Sequence, residues 1–213
     1  MKLYSYWRSS TAYRVRIAMN LKGLRYDLTP RNLLGAEQRE VDYLKLNPLG
    51  AVPTLVLDDG TVLIQSLAIL EYLEETHPKP PLLPKGAIAK ARVRALALTV
   101  ACEMHNVNNM KVLQHITGPM GHSEGEKLHW MHHWMHEGFK ALESQLAHHP
   151  DTGMFCHGDT PTIADVCLVP QVYNARRFQL DMGEYPTISA IADACNQLPA
   201  FRDAAPENQP DAQ

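Results

Sequence analysis

The spacing of apolar and polar positions changes period several times along the first third of the chain. Lys2–Tyr6 alternates like a short strand. Thr11–Lys22 then takes up helical spacing, with Val15, Ala18, Met19 and Leu21 on the apolar side and Gly23 as a stop. Tyr26–Thr29 predicts a second strand, and Ala36–Leu46 a weaker helix closed by the turn cluster Asn47-Pro48-Leu49-Gly50. Thr54–Leu57 and Val62–Gln65 flank Asp58-Asp59-Gly60, a hairpin signature, so these strands should pair antiparallel. Ser66 predicts an N-cap for a helix over Leu67–Thr76, whose buried side is Leu67, Leu70, Tyr72 and Leu73. The expected order is β-α-β-α-β-β-α.

His77–Gly86 holds four prolines in ten residues and predicts a semi-rigid connector. Beyond it the pattern is helical throughout. Ala87–His115 reads as one long helix and Glu124–Ala147 as a second. A third opens at Thr162-Ile163-Ala164-Asp165 with a capping box, and Pro170 predicts a kink or a very short first segment. Pro186–Asn196 and Pro199–Ala205 predict shorter helices, and the polar stretch Pro206–Gln213 predicts fraying. The fold class is therefore α/β plus all-α: a first domain over 1–80 and a helical domain over 87–213.

A formal net charge of −3 gives no reason to expect nucleic acid or an anionic membrane as partner. No apolar run approaches the roughly 18 residues of a membrane span, and no signal segment precedes the first strand, so a cytoplasmic protein is expected. The four cysteines, Cys102, Cys156, Cys167 and Cys195, lack disulfide or metal spacing and read as reduced thiols. His129, His132, His133 and His136 lie on one predicted helix without a completing carboxylate, so no metal is expected.

The stretch Tyr4-Ser5-Tyr6-Trp7-Arg8-Ser9-Ser10-Thr11 carries the chemistry. It predicts a strand, a tight turn and a helix N-terminus crowded with hydroxyls beside one arginine. Such a site stabilises a thiolate, yet no cysteine lies before Cys102. The sulfur must come from a ligand, which points to glutathione.

Four motifs extend the picture: Ser9-Ser10-x-x-x-Arg14-Val15-Arg16-Ile17-Ala18, Asn47-Pro48-x-x-x-Val52-Pro53-Thr54-Leu55, Gln65-Ser66-Leu67-Ala68-Ile69 and Ala164-Asp165-x-Cys167-Leu168-Val169-Pro170-Gln171-Val172. At consistent spacing over nearly the whole chain, they resemble the zeta class of glutathione transferases. The resemblance implies a thioredoxin-like first domain (βαβαββα), a helical second domain contributing the substrate pocket, and a homodimer. It implies a cis Val52–Pro53 bond that turns the Val52 backbone toward an extended tripeptide. Gln65 and Ser66 would hold the γ-glutamyl end, with Gln38 and His105 as further glutathione contacts. His105 stands where the family carries glutamine, and Thr11 where it usually carries cysteine. Ser10 is the first choice for the hydroxyl facing the sulfur, with Ser9 and Thr11 beside it. Arg8 would grip a substrate carboxylate, as would Arg176 or Arg177. Neighbouring helical residues point about 100° apart, so only one of that pair should face the pocket.

The implied reaction is glutathione-dependent cis–trans isomerisation of maleylpyruvate to fumarylpyruvate, a step of aromatic degradation by the gentisate pathway. Maleylacetoacetate as substrate, in tyrosine degradation, is the alternative, as is a general glutathione transferase. A noncatalytic glutathione-fold binding module is a third reading.

Overall fold

The computed structural model describes residues 1–213. The chain forms two compact units, Met1–Leu82 together with Asn196–Gln213, and Leu83–Cys195.

In the first unit, β1 (Lys2–Ser5), β2 (Asp27–Pro30), β3 (Thr54–Val56) and β4 (Val62–Ile64) form one sheet in the order β2-β1-β3-β4. β1 runs parallel to β2, with Leu3 opposite Leu28. It runs antiparallel to β3, where Tyr4 faces Thr54. β3 and β4 form the expected hairpin, with Leu55 opposite Leu63 and the Asp59 carboxylate accepting the Thr61 N–H at the turn.

The helices are α1 (Ser10–Leu21), α2 (Val41–Leu46) and α3 (Ser66–Thr76), so the element order matches the expectation. Every residue of α1 from Ala12 to Met19 is buried, Arg14 and Arg16 included. At its end Lys22 donates to the Glu74 carboxylate (2.7 Å) and to the carbonyls of His77 (2.7 Å) and Pro80 (3.0 Å). That hub fastens the proline-rich connector to α1 and α3. The expected helix over Ala36–Leu46 is broken into a 3-10 turn at Glu37–Arg39 and α2, with Glu40 extended between them. Asn32 draws the preceding loop into a local turn by accepting the N–H groups of Leu34 and Gly35.

Residues 196–213 depart most from the sequence reading, which placed them in the helical domain and left 206–213 frayed. They pack against α1 instead. Tyr13 donates to the Phe201 carbonyl (3.3 Å), Asn20 to Ala200 (3.1 Å) and Arg16 to Ala204 (3.0 Å). The segment holds α9 (Pro199–Arg202) and a 3-10 turn at Pro206–Asn208. Gln209 is buried, its amide donating to the Asp203 and Ala205 carbonyls. Hydrogen bonds hold this polar stretch where composition alone predicts disorder.

The second unit is helical: α4 (Ala87–Leu98), α5 (Met110–Thr117), α6 (Glu124–Leu146), α7 (Ile163–Arg177) and α8 (Pro186–Asn196). The single helix expected over Ala87–His115 instead gives way after α4 to a π-helical stretch, Thr99–His105. Asn109 then caps α5 by accepting the Lys111 N–H. Side chains such as Asn109 offer the backbone an alternative to continued helix. Gly138 of α6 lets this stretch approach, since a Cβ there would lie 2.0 Å from Met104 Cγ. α7 runs on through Pro170 without the expected break. Eleven of its fifteen residues are buried, and that packing outweighs the one helix hydrogen bond proline removes. Its Thr162–Asp165 capping box forms as expected. Desolvation pushes the Asp165 pKa up, against the hydrogen bonds from Cys156 and Thr162 that favour the carboxylate. No helix is long and apolar enough to cross a membrane.

Candidate active site

β1 delivers the chain into a turn closed by the Ser9 N–H donating to the Tyr6 carbonyl (2.9 Å). Ser9 is the N-cap of α1: its backbone is extended, and its Oγ accepts the Ala12 N–H at 3.2 Å. The Ser9 and Thr11 hydroxyls lie 2.9 Å apart, and Thr11 donates to the Val52 carbonyl at 2.9 Å. Thr11 has one proton and spends it on Val52, so Ser9 is the donor to Thr11. A directed relay therefore runs Ser9 to Thr11 to Val52. Ser10, the first helical residue, is only 8 % exposed, whereas Ser9 is half-buried. The first turn of α1 carries no acidic residue, so nothing there offsets the partial positive charge of the helix end.

The Val52–Pro53 bond is cis. The resemblance turns the Val52 backbone toward a tripeptide, yet in the structure the Val52 carbonyl accepts from Thr11. The Val52 N–H has no hydrogen-bond partner within the chain. Buried Tyr43 and Asn47 hold this loop. The Tyr43 hydroxyl bonds to the Ala51 carbonyl (2.6 Å) and Thr54 Oγ1 (2.8 Å), and the Asn47 amide reaches the same two groups at 2.8 and 3.0 Å. Burial raises the Tyr43 pKa, so its hydroxyl keeps its proton.

At the start of α3, Gln65 adopts φ 69°, which side-chain-bearing residues rarely take up and which is concentrated at functional sites. Gln65 is exposed, and Ser66 is the first helical residue rather than the expected cap. The Ser66 hydroxyl accepts from Arg14 at 3.3 Å, tying this helix end to α1. Gln38 is buried, and its side-chain oxygen has no partner within the chain. It lies under the Asn47–Gly50 turn, where Gly50 at φ 55° leaves just enough room for the Gln38 carbonyl.

The first unit thus brings together Arg8, Ser9, Ser10, Thr11, Val52 and Pro53, and connects Ser66 to α1 through Arg14. Arg8 is half-buried, its guanidinium 4.3 Å from the centre of the Trp7 ring. The remaining predicted residues belong to the second unit. His105 is half-buried at the end of the π-helical stretch. Arg176 pairs with Asp193 at 2.9 Å, and Arg177 lies over the Phe178 ring at 4.7 Å. Of the histidines on α6, His132 contacts the Phe178 carbonyl and His136 the Tyr185 hydroxyl.

Sequence reasoning missed the supporting role of Arg16. Its Nε donates to Ala204, and its terminal nitrogens to Ser5 Oγ (3.0 Å) and to the carbonyls of Tyr6 (3.4 Å) and Trp7 (3.0 Å). Burial lowers its pKa to about 10, far enough above neutrality to keep the cation. An arginine two residues after Arg14, within a helix of otherwise apolar spacing, was the available signal.

The chain matches two family models, the N-terminal domain of glutathione S-transferase over residues 8–76 and its C-terminal domain over residues 135–204. It is 49% identical to a probable maleylacetoacetate isomerase from Vibrio cholerae, over 99% of this chain and 97% of the relative. It is also 49% identical to a maleylpyruvate isomerase from Ralstonia sp, with 100% of both chains covered. Among solved structures it is similar to the holo form of a maleyl pyruvate isomerase described as a bacterial zeta-class glutathione S-transferase. The TM-score there is 0.98, at 47% identity and with 100% of both chains covered.

Proposed function

Because the chain belongs to the glutathione S-transferase family, within its zeta class, we propose that it is a glutathione-dependent cis–trans isomerase converting maleylpyruvate to fumarylpyruvate. The observation that carries this reading is the hydroxyl relay at the tip of α1, a thiolate-stabilising end with no cysteine of its own. The surrounding groups fit glutathione. The Val52 N–H is available for strand-like pairing with a peptide, Gln38 presents a buried unpaired acceptor, and the N-terminus of α3 at Gln65-Ser66 suits a carboxylate. Bound glutathione would supply a thiolate, a nucleophile for reversible addition to the carbon–carbon double bond, and would be regenerated rather than consumed.

The chain's own residues bind, orient and hold protons. Ser9, rather than the more buried Ser10, is the hydroxyl assigned to the sulfur: it caps the helix end, and its proton rests on an exchangeable partner, Thr11. Thr11 in turn holds the Val52 carbonyl in place. Arg8 offers a planar two-point contact to one substrate carboxylate, held flat by Trp7. Of the two arginines ending α7, Arg177 is the one that matches the arginine of the zeta-class pattern, and it is assigned the second carboxylate. His105 is assigned a contact to the tripeptide. Maleylacetoacetate is the second reading, favoured by the equal identity to the Vibrio cholerae relative. The homodimer implied by the resemblance and the cytoplasmic location expected from the sequence form part of the proposal.

Absorbance of enzymatically prepared maleylpyruvate, followed with and without catalytic glutathione, tests the reading. Product is expected only with glutathione and at constant free thiol; loss of thiol in step with product would make the protein a conjugating transferase. Arg8→Ala and Arg177→Ala should each raise KM for the dicarboxylate about 30-fold, on the order of 2 kcal/mol for a lost charge-assisted contact. An unchanged KM in either variant removes that arginine from the assignment.

A further inference from the structure

The segment that packs back on the first unit ends against the candidate active site. The Asp211 carboxylate accepts the Trp7 N–H at 3.0 Å, across 204 positions of sequence. Ala212 packs against the buried cluster of Tyr6, Trp7, Ala12, Tyr43 and Val52. On the other side of the same residue, Arg16 donates to the Trp7 carbonyl while also holding Ala204. Both backbone polar groups of Trp7 are therefore fixed by partners that the 200–213 segment supplies or anchors. Trp7 is buried, and its ring is the shelf on which the Arg8 guanidinium lies. The second Asp211 oxygen is buried without a partner, so its bond to the Trp7 amide is the one this carboxylate makes.

We propose that Asp211 is a positioning residue for Arg8: it pins Trp7 from behind, and Trp7 presents the guanidinium to a dicarboxylate. The proposal rests on the reading of Arg8 as a carboxylate grip. It separates the roles of two ends of the unit, with glutathione held by Ser9, Val52 and the α3 terminus, and dicarboxylate affinity tuned by a strap remote in sequence. Without Asp211, Trp7 gains rotational freedom and Arg8 loses orientation. The one hydrogen bond of the Asp211 carboxylate goes to Trp7 and to none of the groups assigned to glutathione.

The test is equilibrium binding of malonate, a dicarboxylate that cannot isomerise, to the full-length protein carrying glutathione, together with KM and kcat. Asp211→Ala should weaken malonate about fivefold and raise KM by a similar factor, with kcat and glutathione affinity within about twofold of the parent. Asp211→Asn keeps an acceptor for the Trp7 amide and should restore most of the affinity. In an Arg8→Ala background, Asp211→Ala should add nothing. An equal loss in both backgrounds, unchanged malonate binding in Asp211→Ala, or a parallel loss of glutathione affinity would each overturn the positioning role while leaving Arg8 as the grip. If Arg8→Ala itself binds malonate normally, the underlying reading of Arg8 fails, and the positioning role falls with it.

Discussion

Ser9→Ala is expected to lower kcat/KM about 100-fold at neutral pH. Removing one preorganised donor to developing negative charge costs roughly 10²–10³ in rate. Sulfur spreads its charge more widely than oxygen, which places this case at the lower end, near 2.7 kcal/mol. The loss has a pH signature with a definite sign. The thiolate is the reactive form, and a donor lost from it raises the apparent pKa of the bound thiol. The rising limb of the pH–rate profile therefore moves to higher pH, and the variant recovers part of its deficit under alkaline conditions. Ser9 also caps α1, so alanine costs about 1 kcal/mol of stability as well. Ser9→Gly separates the two effects, because glycine caps nearly as well as serine but has no hydroxyl. Both variants should show the same kinetic loss while differing in melting temperature. Ser10→Ala, at a buried first-turn position outside the relay, should stay within about tenfold of the parent. A larger loss in Ser10→Ala than in Ser9→Ala would reassign the donor.

Arg16→Met should be the most destabilising single change, by about 3–5 kcal/mol, because it removes the donor from four buried acceptors at once. The guanidinium is fully buried and serves three carbonyls and the Ser5 hydroxyl. Methionine fills much of the space but leaves those acceptors without donors, each costing roughly 1–3 kcal/mol. Relief from burying a cation offsets part of that sum. Against a total of about 5–15 kcal/mol for an ordinary domain, the change should be plain in a urea titration read by far-ultraviolet circular dichroism. A midpoint within experimental scatter of the parent would show that water replaces the guanidinium at no cost. Arg16→Lys should fall between the two, since one ammonium on a shorter stem cannot span acceptors placed for a planar fork.

The element order of the first unit was readable because glycine, proline and the Asp58-Asp59-Gly60 turn punctuate short segments whose period changes cleanly. The same logic misreads α1. Periodicity assigns Arg14 and Arg16 to a wet face, but this helix is enclosed on every side, and its two guanidiniums find a serine hydroxyl and backbone carbonyls instead of water. The interruption at Thr99–His105 is hidden for a different reason. A π-helical stretch keeps an apolar pattern close to helical spacing, so the break shows only in the backbone. Residues 206–213 look disordered because they contribute few apolar side chains. What holds them is a handful of directed bonds, such as Asp211 to Trp7, whose partners lie at the far end of the sequence. The site follows the same division. The hydroxyls of Ser9, Ser10 and Thr11 were visible as a helix start, whereas the relay from Thr11 to Val52 spans 41 positions and has no local trace. Ser66 looked like a cap because serine before an apolar run usually is one. Its hydroxyl is drawn instead to a buried arginine that no local pattern could place beside it.

The return of residues 196–213 to α1 also dictates an order of events during synthesis. The carbonyl that satisfies Arg16 Nε lies 188 positions downstream, and chains emerge at roughly 5–20 residues per second. For many seconds the nascent first unit holds Arg16 through Ser5, Tyr6 and Trp7 alone and keeps an open flank, whereas the whole helical unit, Leu83–Cys195, emerges before residues 196–213. The middle of the chain is thus expected to close first. The sulfur-activating end is expected to become competent only when the late-emerging segment 196–213 reaches α1.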